Sequence, residues 1–301
     1  MGETVLDIIF NHGVPVAAKP GGSMLNTAVS LGRTGIAVEF ISEVAADPPG
    51  EQIVSFLHEN HVGTAWLNRY TEGKTTVALA FLDEKADASF SFYSDLPEKR
   101  LNGPLPNPGR EDLVLFGSFF PLADGIHERI KLLLSGAAQN NAMIFYDPNF
   151  RRSHLPDLPR VIHRIEENIS CADVIRGSDE DFLHIFALRE PSEANAKIRT
   201  RENQVLIYTR AGEPVSIMTR ETTLQVAVPG IKPVSTIGAG DSFNAGLIHA
   251  FITSGIGRNE MIALSAADWE KIAGNAIRFS QNVCLSLENY ISPDFVISLG
   301  K

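Results

Sequence analysis

Between residues 113 and 209, short apolar runs alternate with longer stretches whose apolar positions recur at helical spacing. Few architectures accommodate that rhythm. Residues 113–116 (LVLF) form one run, closed by Gly117. Residues 126–138 follow, with Ile126, Ile130, Leu133, Leu134 and Ala137 on one helix face. Residues 143–146 (MIFY) are the next strand, 159–171 a helix, 174–176 a strand, 178–188 a helix and 204–209 (QVLIYT) a further strand. Strands separated by helices predict an α/β fold with a largely parallel sheet. Ser178 with Asp181 three residues later resembles a capping box, Asp standing for the usual Glu. Residues 215–219 and 223–228 read as a hairpin, and the chain after Asp241 as mostly helical.

One region breaks the rhythm. Residues 64–94 hold strand-like segments, 75–82 (TTVALAFL) and 88–93 (ASFSFY), with no helix between them, and residues 5–18 also read as extended. A small antiparallel sheet inserted in the α/β body is the expectation, with the lid formed by about 8–20 and 64–95 of a single 1–301 domain. A short sheet on a larger body is a natural cover for a site. An edge hairpin with no ligand role fits the same pattern. Ser89 and Ser91 alternate with Phe90 and Phe92, which predicts one apolar lid face and a homodimer formed through it. The Pro/Gly-rich stretch 102–109 reads as the return from lid to body.

Composition narrows the function classes. With 301 residues, 44% apolar and 21% charged, the chain can bury a sizeable core, which excludes disorder and disulfide-stapled miniproteins. No apolar run approaches the ~18 residues of a transmembrane helix. Met1 to Phe10 carries Glu3 and Asp7 and no basic residue, so it is not a signal peptide, and a cytoplasmic protein without membrane partners is expected. The formal charge of −10 repels phosphate backbones and argues against nucleic-acid binding, while leaving room for a local anion site. Cys171 and Cys284 read as reduced thiols, and the eight histidines lack zinc spacing.

Two Gly-led segments carry the chemistry. Residues 235–246 (STIGAGDSFNAG) follow the hairpin and open an apolar helix. Gly238, Ala239 and Gly240 can converge their backbone N–H groups on one point at a helix N-terminus, where the dipole also favours negative charge. Asp241 follows at once. A carboxylate beside an anion hole suits removal of a proton from a hydroxyl that attacks an anionic electrophile. A dipole-matched Asp in a Gly-rich helix entry is the competing structural account. Residues 21–35 (GGSMLNTAVSLGRTG) start a second helix, with Gly22 allowing close ligand approach and Asn26 one turn in, as a ligand group or a satisfied polar residue. A Rossmann GxGxxG fails at Phe243, and a P-loop ending at Gly73-Lys74-Thr75 fails at Asn68.

Together these pieces resemble the ribokinase-like carbohydrate kinases of the PfkB family. GGSMLNTAVSLGRTG resembles the N-terminal signature GG-x-x-x-N-x-A, and STIGAGDSFNAG the C-terminal D-T-x-G-A-G-D-x-F. Gly2-Glu3 with Asp7 resembles the opening GE-x-x-x-D, and Asp47 with Gly50 a D-x-x-G step. Gly117-Ser118 and Asp147-Pro148-Asn149-Phe150-Arg151 are similar to the family's central-strand ends. GETVLDIIF, FYSDLP and GSDEDF look most like fructokinase-type members.

The resemblance implies a three-layer α/β/α domain with a β-sheet lid, ATP and magnesium as cofactors, and a small sugar as substrate, fructose-like favoured. It implies Asp241 as general base and Gly238, Ala239 and Gly240 as anion hole. It implies Asp7, Gly22, Asn26, Asn149 and Arg151 around the sugar, Ser178, Thr209, Gly212 and Asn275 around the nucleotide, and Asp181 near magnesium through water. Three departures stand out. Ser235 replaces the first Asp of the C-terminal signature, which puts a monovalent-cation site in doubt. Ser178 and Asp181 replace Asn and Glu of N-x-x-E, shortening the carboxylate's reach. The chain starts at Met1-Gly2-Glu3, where the family has further residues of a first central strand, so a trimmed or shortened strand is expected. A kinase for another sugar, sugar acid or nucleoside, a weakly catalytic sugar- or nucleotide-binding protein, and an unrelated α/β binding protein are the alternatives.

Overall fold

The computed structural model describes residues 1–82 and 88–300. The first part runs β1 (Val5–Asn11), β2 (Val14–Gly21), α1 (Ser23–Arg33), β3 (Val38–Glu39), β4 (Ser42–Ala45), α2 (Pro48–Glu59), β5 (Val62–Gly63), β6 (Leu67–Tyr70), β7 (Lys74–Leu82) and β8 (Ala88–Asp95). The middle runs β9 (Leu113–Gly117), α3 (His127–Gln139), β10 (Met143–Asp147), α4 (Leu158–Cys171), β11 (Val174–Ser178), α5 (Asp179–Phe186), α6 (Pro191–Ile198) and β12 (Val205–Thr209). The chain ends with β13 (Val215–Met218), β14 (Thr223–Val226), α7 (Ala239–Thr253), α8 (Arg258–Met261), α9 (Ala266–Cys284) and α10 (Pro293–Leu299).

The α/β rhythm produces a six-stranded sheet in the order β14-β13-β12-β11-β10-β9. Strands β9 to β12 are parallel, and the hairpin β13-β14 is added antiparallel at the edge. Strands β9, β10 and β12 are apolar up to their last residue because both faces are covered. Ile144, Tyr146, Ile175, Leu206 and Tyr208 point to the layer of α3, α4, α5 and α6. Met143, Phe145, Val174, Val205 and Ile207 point to the layer of α7 and α9. Each such large side chain contributes about 1.5–3 kcal/mol on burial, and together they hold the three layers. Short parallel pairs, β3 with β5 and β4 with β6, flank this body. Met1 donates its amino group to Leu115 O at 2.6 Å and Gly2 its N–H to Ile41 O at 3.3 Å, so the first residues lie between β9 and the β4 side.

A second sheet has the order β2-β1-β7-β8. It takes in residues 5–21 and 74–95, apart from 83–87 of the expected lid, which fall outside the described residues. Residues 64–73 belong elsewhere: β6 pairs in parallel with β4, and Leu67 and Tyr70 are buried in the body. Tyr70 donates its hydroxyl to buried Glu43 at 2.7 Å, a pairing of distant residues that strand periodicity does not reveal. The expectation of one apolar sheet face also needs correction. The register sets Ala78 opposite Phe92, Ala80 opposite Phe90 and Asp7 beside Ala78, so Phe90 and Phe92 share Asp7's face. Phe10, Phe81 and Tyr93 occupy the other face, so both carry exposed aromatic rings.

The parallel strands end at Gly117, Asp147, Ser178 and Thr209. In open α/β sheets the crevice beyond these carboxyl ends is where ligands bind. Helices α1 and α7 pack against each other at that edge, through hydrogen bonds from Ser23, Asn26 and Thr27 to Asp241.

Candidate active site

The start of α7 is shaped by glycine. Gly238 caps the helix at φ 79°, in the left-handed region. A Cβ there would lie 2.5 Å from Asn289 O and 2.8 Å from its Cα, so no other residue fits unchanged. The N–H groups at the start of a helix have no intrahelical acceptor. Ala239 N–H donates to Thr236 O at 3.2 Å, so of the three expected donors this one is already engaged.

Asp241, on the first turn, is only 7% exposed. Ser23 Oγ donates to its Oδ1 at 2.5 Å and Asn26 Nδ2 to its Oδ2 at 2.8 Å. Thr27 Oγ1 donates to the Asp241 carbonyl at 2.9 Å. Burial pushes the Asp241 carboxyl above the ordinary range; Asn26, Ser23 and the Arg151 charge pull it back, and the Asp147 charge raises it. The amide of Asn26 spends its nitrogen on Asp241 and leaves Oδ1 buried without a partner, an acceptor for a hydroxyl.

Across the cleft, Asp147 ends β10 and is 1% exposed. Its Oδ2 accepts from Asn244 Nδ2 at 2.6 Å and from Arg176 Nη1 at 3.1 Å, and its Oδ1 from Asn149 N–H at 3.0 Å. Asn149 is held at φ 39°, left-handed for a residue with a side chain. Arg176, from β11, also donates from Nη2 to Thr209 Oγ1 at 2.8 Å and lies 5.6 Å over the Phe243 ring. A Cβ on Gly240 would sit 2.9 Å from Arg176 Nη1, so that glycine lets the guanidinium reach the α7 N-terminus. The Nε of Arg176 is buried without a partner. A partly buried guanidinium beside a helix N-terminus favours an anion there, and nothing in the sequence pattern singles Arg176 out.

On the sheet side, Asp7 lies against Gly21, where an added Cβ would fall 2.0 Å from Oδ2. Burial pushes Asp7 up to about 6. Gly22 adopts φ 133° with Glu3 O 2.5 Å from where a Cβ would be. Burial pushes Glu3 up to about 7, opposed by the Phe119 and Phe120 N–H groups and the charges of Arg100 and Arg151. Arg151 is exposed at the cleft edge, and its charge acts on Glu3 and Asp241. Asp7, Gly22, Asn26, Asn149, Arg151 and Asp241 are thus linked through shared or neighbouring groups.

The expected nucleotide residues are less tightly grouped. Thr209 joins the site through Arg176. Gly212 turns at φ 76° in open space between β12 and β13. Ser178 caps α5, its Oγ accepting from Asp181 N–H at 3.2 Å while Asp181 Oδ2 accepts from Ser178 N–H at 2.7 Å. Asp181 Oδ1 accepts from Phe150 N–H at 2.6 Å, so both carboxylate oxygens are engaged by protein donors. The expected water-bridged magnesium contact of Asp181 would have to compete with them. Asn275 donates to Gly246 O at 2.7 Å and stands in the α7–α9 seam. Among the described residues no group of three His, Cys, Asp or Glu could hold a metal, and no helix is long and apolar enough to cross a membrane. A cleft of about 550 Å³ between the 102–107 connector and α3 is remote from these groups, and its one charged residue, Arg129, donates to Leu101 O and Gly103 O.

Comparisons with known proteins point the same way. A family model described as pfkB family carbohydrate kinase matches residues 11–276. A fructokinase of Rhizobium leguminosarum bv. trifolii is 29% identical over 232 residues, covering 76% of this chain and 70% of the relative. A fructokinase of Vibrio alginolyticus is 23% identical over 279 residues, covering 91% and 90%. A crystal structure of a Xylella fastidiosa fructokinase with bound ATP superposes with a TM-score of 0.85 at 23% identity, covering 99% of this chain and 96% of the other. A Vibrio cholerae fructokinase in a fructose, ADP and calcium ion bound form gives 0.83 at 18% identity, with the same coverage.

Proposed function

This chain belongs to the pfkB family of carbohydrate kinases, and from that premise we propose that it transfers the terminal phosphoryl group of ATP to a primary hydroxyl of a small neutral sugar, fructose-like in the first instance. The observation that carries this reading is Asp241, a buried carboxylate fixed by two donors at a helix N-terminus beside the partly buried Arg176 guanidinium. Bound ATP would supply the electrophilic phosphorus and the ADP leaving group. Asp241 accepts the hydroxyl proton as the oxygen attacks, and the new O–P bond replaces the bond to ADP. The N–H groups of Gly238 and Gly240, with Arg176, meet the phosphate charge. Positioning and electrostatics of this kind supply most of the catalysis of phosphoryl transfer.

Magnesium enters this reading with the nucleotide phosphates. The residues present do not build a divalent-ion site by themselves: two donors fill Oδ2 of both Asp147 and Asp181 and a third takes one direction of each Oδ1, and among the described residues no group of three His, Cys, Asp or Glu gathers to complete a shell. On the sugar side, Asp7 and Glu3 are carboxyls that can accept from substrate hydroxyls, and the orphaned Asn26 Oδ1 is a third acceptor. Two carboxyls against the Arg151 charge favour a neutral polyhydroxyl compound over a sugar acid. The sheet of β1, β2, β7 and β8 would act as a lid over it and as a homodimer contact, and a cytoplasmic site of action goes with ATP as donor.

The test is ADP formation from ATP with a panel of free hexoses, pentoses, sugar acids and nucleosides. A neutral ketose giving the highest kcat/KM is the expected result; a sugar acid or nucleoside preferred tenfold or more would overturn the substrate assignment. Asp241→Asn should fold normally and lose about 10²–10⁴ in kcat, the usual worth of a positioned base. Near-normal turnover in that variant would remove Asp241 from the mechanism.

A further inference from the structure

The hydroxyl of Ser23 takes no part in capping its own helix. Gly22, before α1, offers no side chain, and no side chain caps that end. Ser23 instead turns its Oγ across to α7 and donates to Asp241 Oδ1 at 2.5 Å. One turn on, Asn26 Nδ2 donates to the other carboxylate oxygen at 2.8 Å. Both donors come from a helix whose backbone is anchored by buried Met24, Leu25, Ala28 and Val29. A carboxylate oxygen has two lone-pair directions. Each oxygen held in this way keeps one direction for a substrate hydroxyl, and the carboxylate plane cannot turn.

We propose that Ser23 is a positioning residue for phosphoryl transfer, its hydroxyl fixing the Asp241 carboxylate in orientation and in its charged form until the substrate hydroxyl arrives. The proposal rests on the reading of Asp241 as the base. Burial disfavours the charge on Asp241, and few groups offset it. From α1 there are only the neutral donors Ser23 and Asn26. From the β10 side, Arg151 favours the charge and Asp147 opposes it. From β11, Arg176 stands over Gly240 but is paired with Asp147. Loss of either α1 donor leaves a carboxylate oxygen buried and unsatisfied, which weights the site toward the protonated, inactive form. A hydrogen bond to an ionised group is among the stronger kinds, so its removal is large enough to read in a pH profile.

The experiment measures kcat/KM for the sugar from pH 5 to 9 in the wild type, Ser23→Ala, Ser23→Thr and Asp241→Asn, with Tm checked for each. In Ser23→Ala the acid limb should move up by about one pH unit. Activity should then be about tenfold lower at pH values below both limbs and less than about threefold lower on the plateau above them, with KM for ATP unchanged. Ser23→Thr, which keeps the hydroxyl, should restore the wild-type limb. Should Ser23→Ala fail to fold, Ser23→Cys makes the same comparison: its weaker donor should shift the limb the same way by a smaller amount. An acid limb that overlays the wild type in the folded variant overturns the role of Ser23, with Asp241→Asn inactive showing that the base reading itself stands. Turnover surviving in Asp241→Asn overturns that reading and this proposal with it.

Discussion

Asp7, proposed above as an acceptor for sugar hydroxyls, is held at the expense of stability. Its carboxyl is buried against Gly21, among the described residues no cation pairs with it, and burial pushes it up to about 6 from an ordinary 3.8. The folded state therefore binds the proton more tightly than the unfolded state. The penalty is absent below the unfolded value, grows as pH rises toward 6 and is complete above it. The shift corresponds to roughly 3 kcal/mol at face value, and to about 1–2 kcal/mol after allowance for partial exposure. Asp7→Asn should accordingly raise Tm by about 2–5 °C at pH 8, and the gain should shrink toward zero near pH 4. The same substitution should weaken sugar binding, since a charged acceptor is lost. Thermal scans across pH check the first claim and KM for the sugar the second; a pH-independent change in Tm would show that Asp7 is not held against its charge.

At the scale of elements, the helix start at α7 was legible because only small residues allow its backbone: Gly238 for a left-handed cap, Gly240 for the approach of Arg176. Helix α1 was legible for the same reason at Gly22. What approaches these turns from afar was not. Arg176 reads as one polar position in a strand, and Ser23 as an ordinary first helical residue, until the fold brings them to the α7 N-terminus. Residues 64–73 read as lid in the sequence but belong to the body, because a four-residue strand does not declare its partner. The turn before α7 carries its own prediction. Ser235 Oγ accepts from Ile237 N–H at 3.2 Å, so the side chain in the place of the expected Asp braces the turn and offers a dipole instead of a full charge. Replacing potassium by tetramethylammonium at fixed ionic strength should therefore change the rate by less than about threefold, because the strongest single attraction to a cation is missing. A tenfold drop without potassium would show that carbonyl oxygens alone sustain the site.

For the molecule as a whole, the four-stranded sheet is the part that does not complete itself. In the body, both faces of the six-stranded sheet are covered by helices. In the second sheet, Phe90, Phe92 and Tyr93 are 51%, 61% and 61% exposed on the edge strand β8, while Val14 and Val16 are 60% and 59% exposed on the opposite edge. Exposed edge strands with apolar side chains invite pairing or association, and monomeric proteins rarely leave such patches open. A second copy of the chain, bringing the same rings, is a partner matched in chemistry and the one a closed two-fold contact requires. Because Phe90 and Phe92 project from the face that carries Asp7, a dimer built on them would also fix the sheet over the sugar side of the cleft. The expected outcome is a dimer in light scattering at micromolar protein, and a monomer for Phe92→Asp with its Tm nearly unchanged, as the ring is exposed. If the sheet must be braced by its partner to cover the site, the monomeric variant should show a raised KM for the sugar and an unaltered KM for ATP. A wild-type monomer would refute the association, and a Phe92→Asp monomer with ordinary sugar KM would separate association from the site, leaving the sheet to close on the body through Lys19 and Glu288, 3.0 Å apart across that boundary.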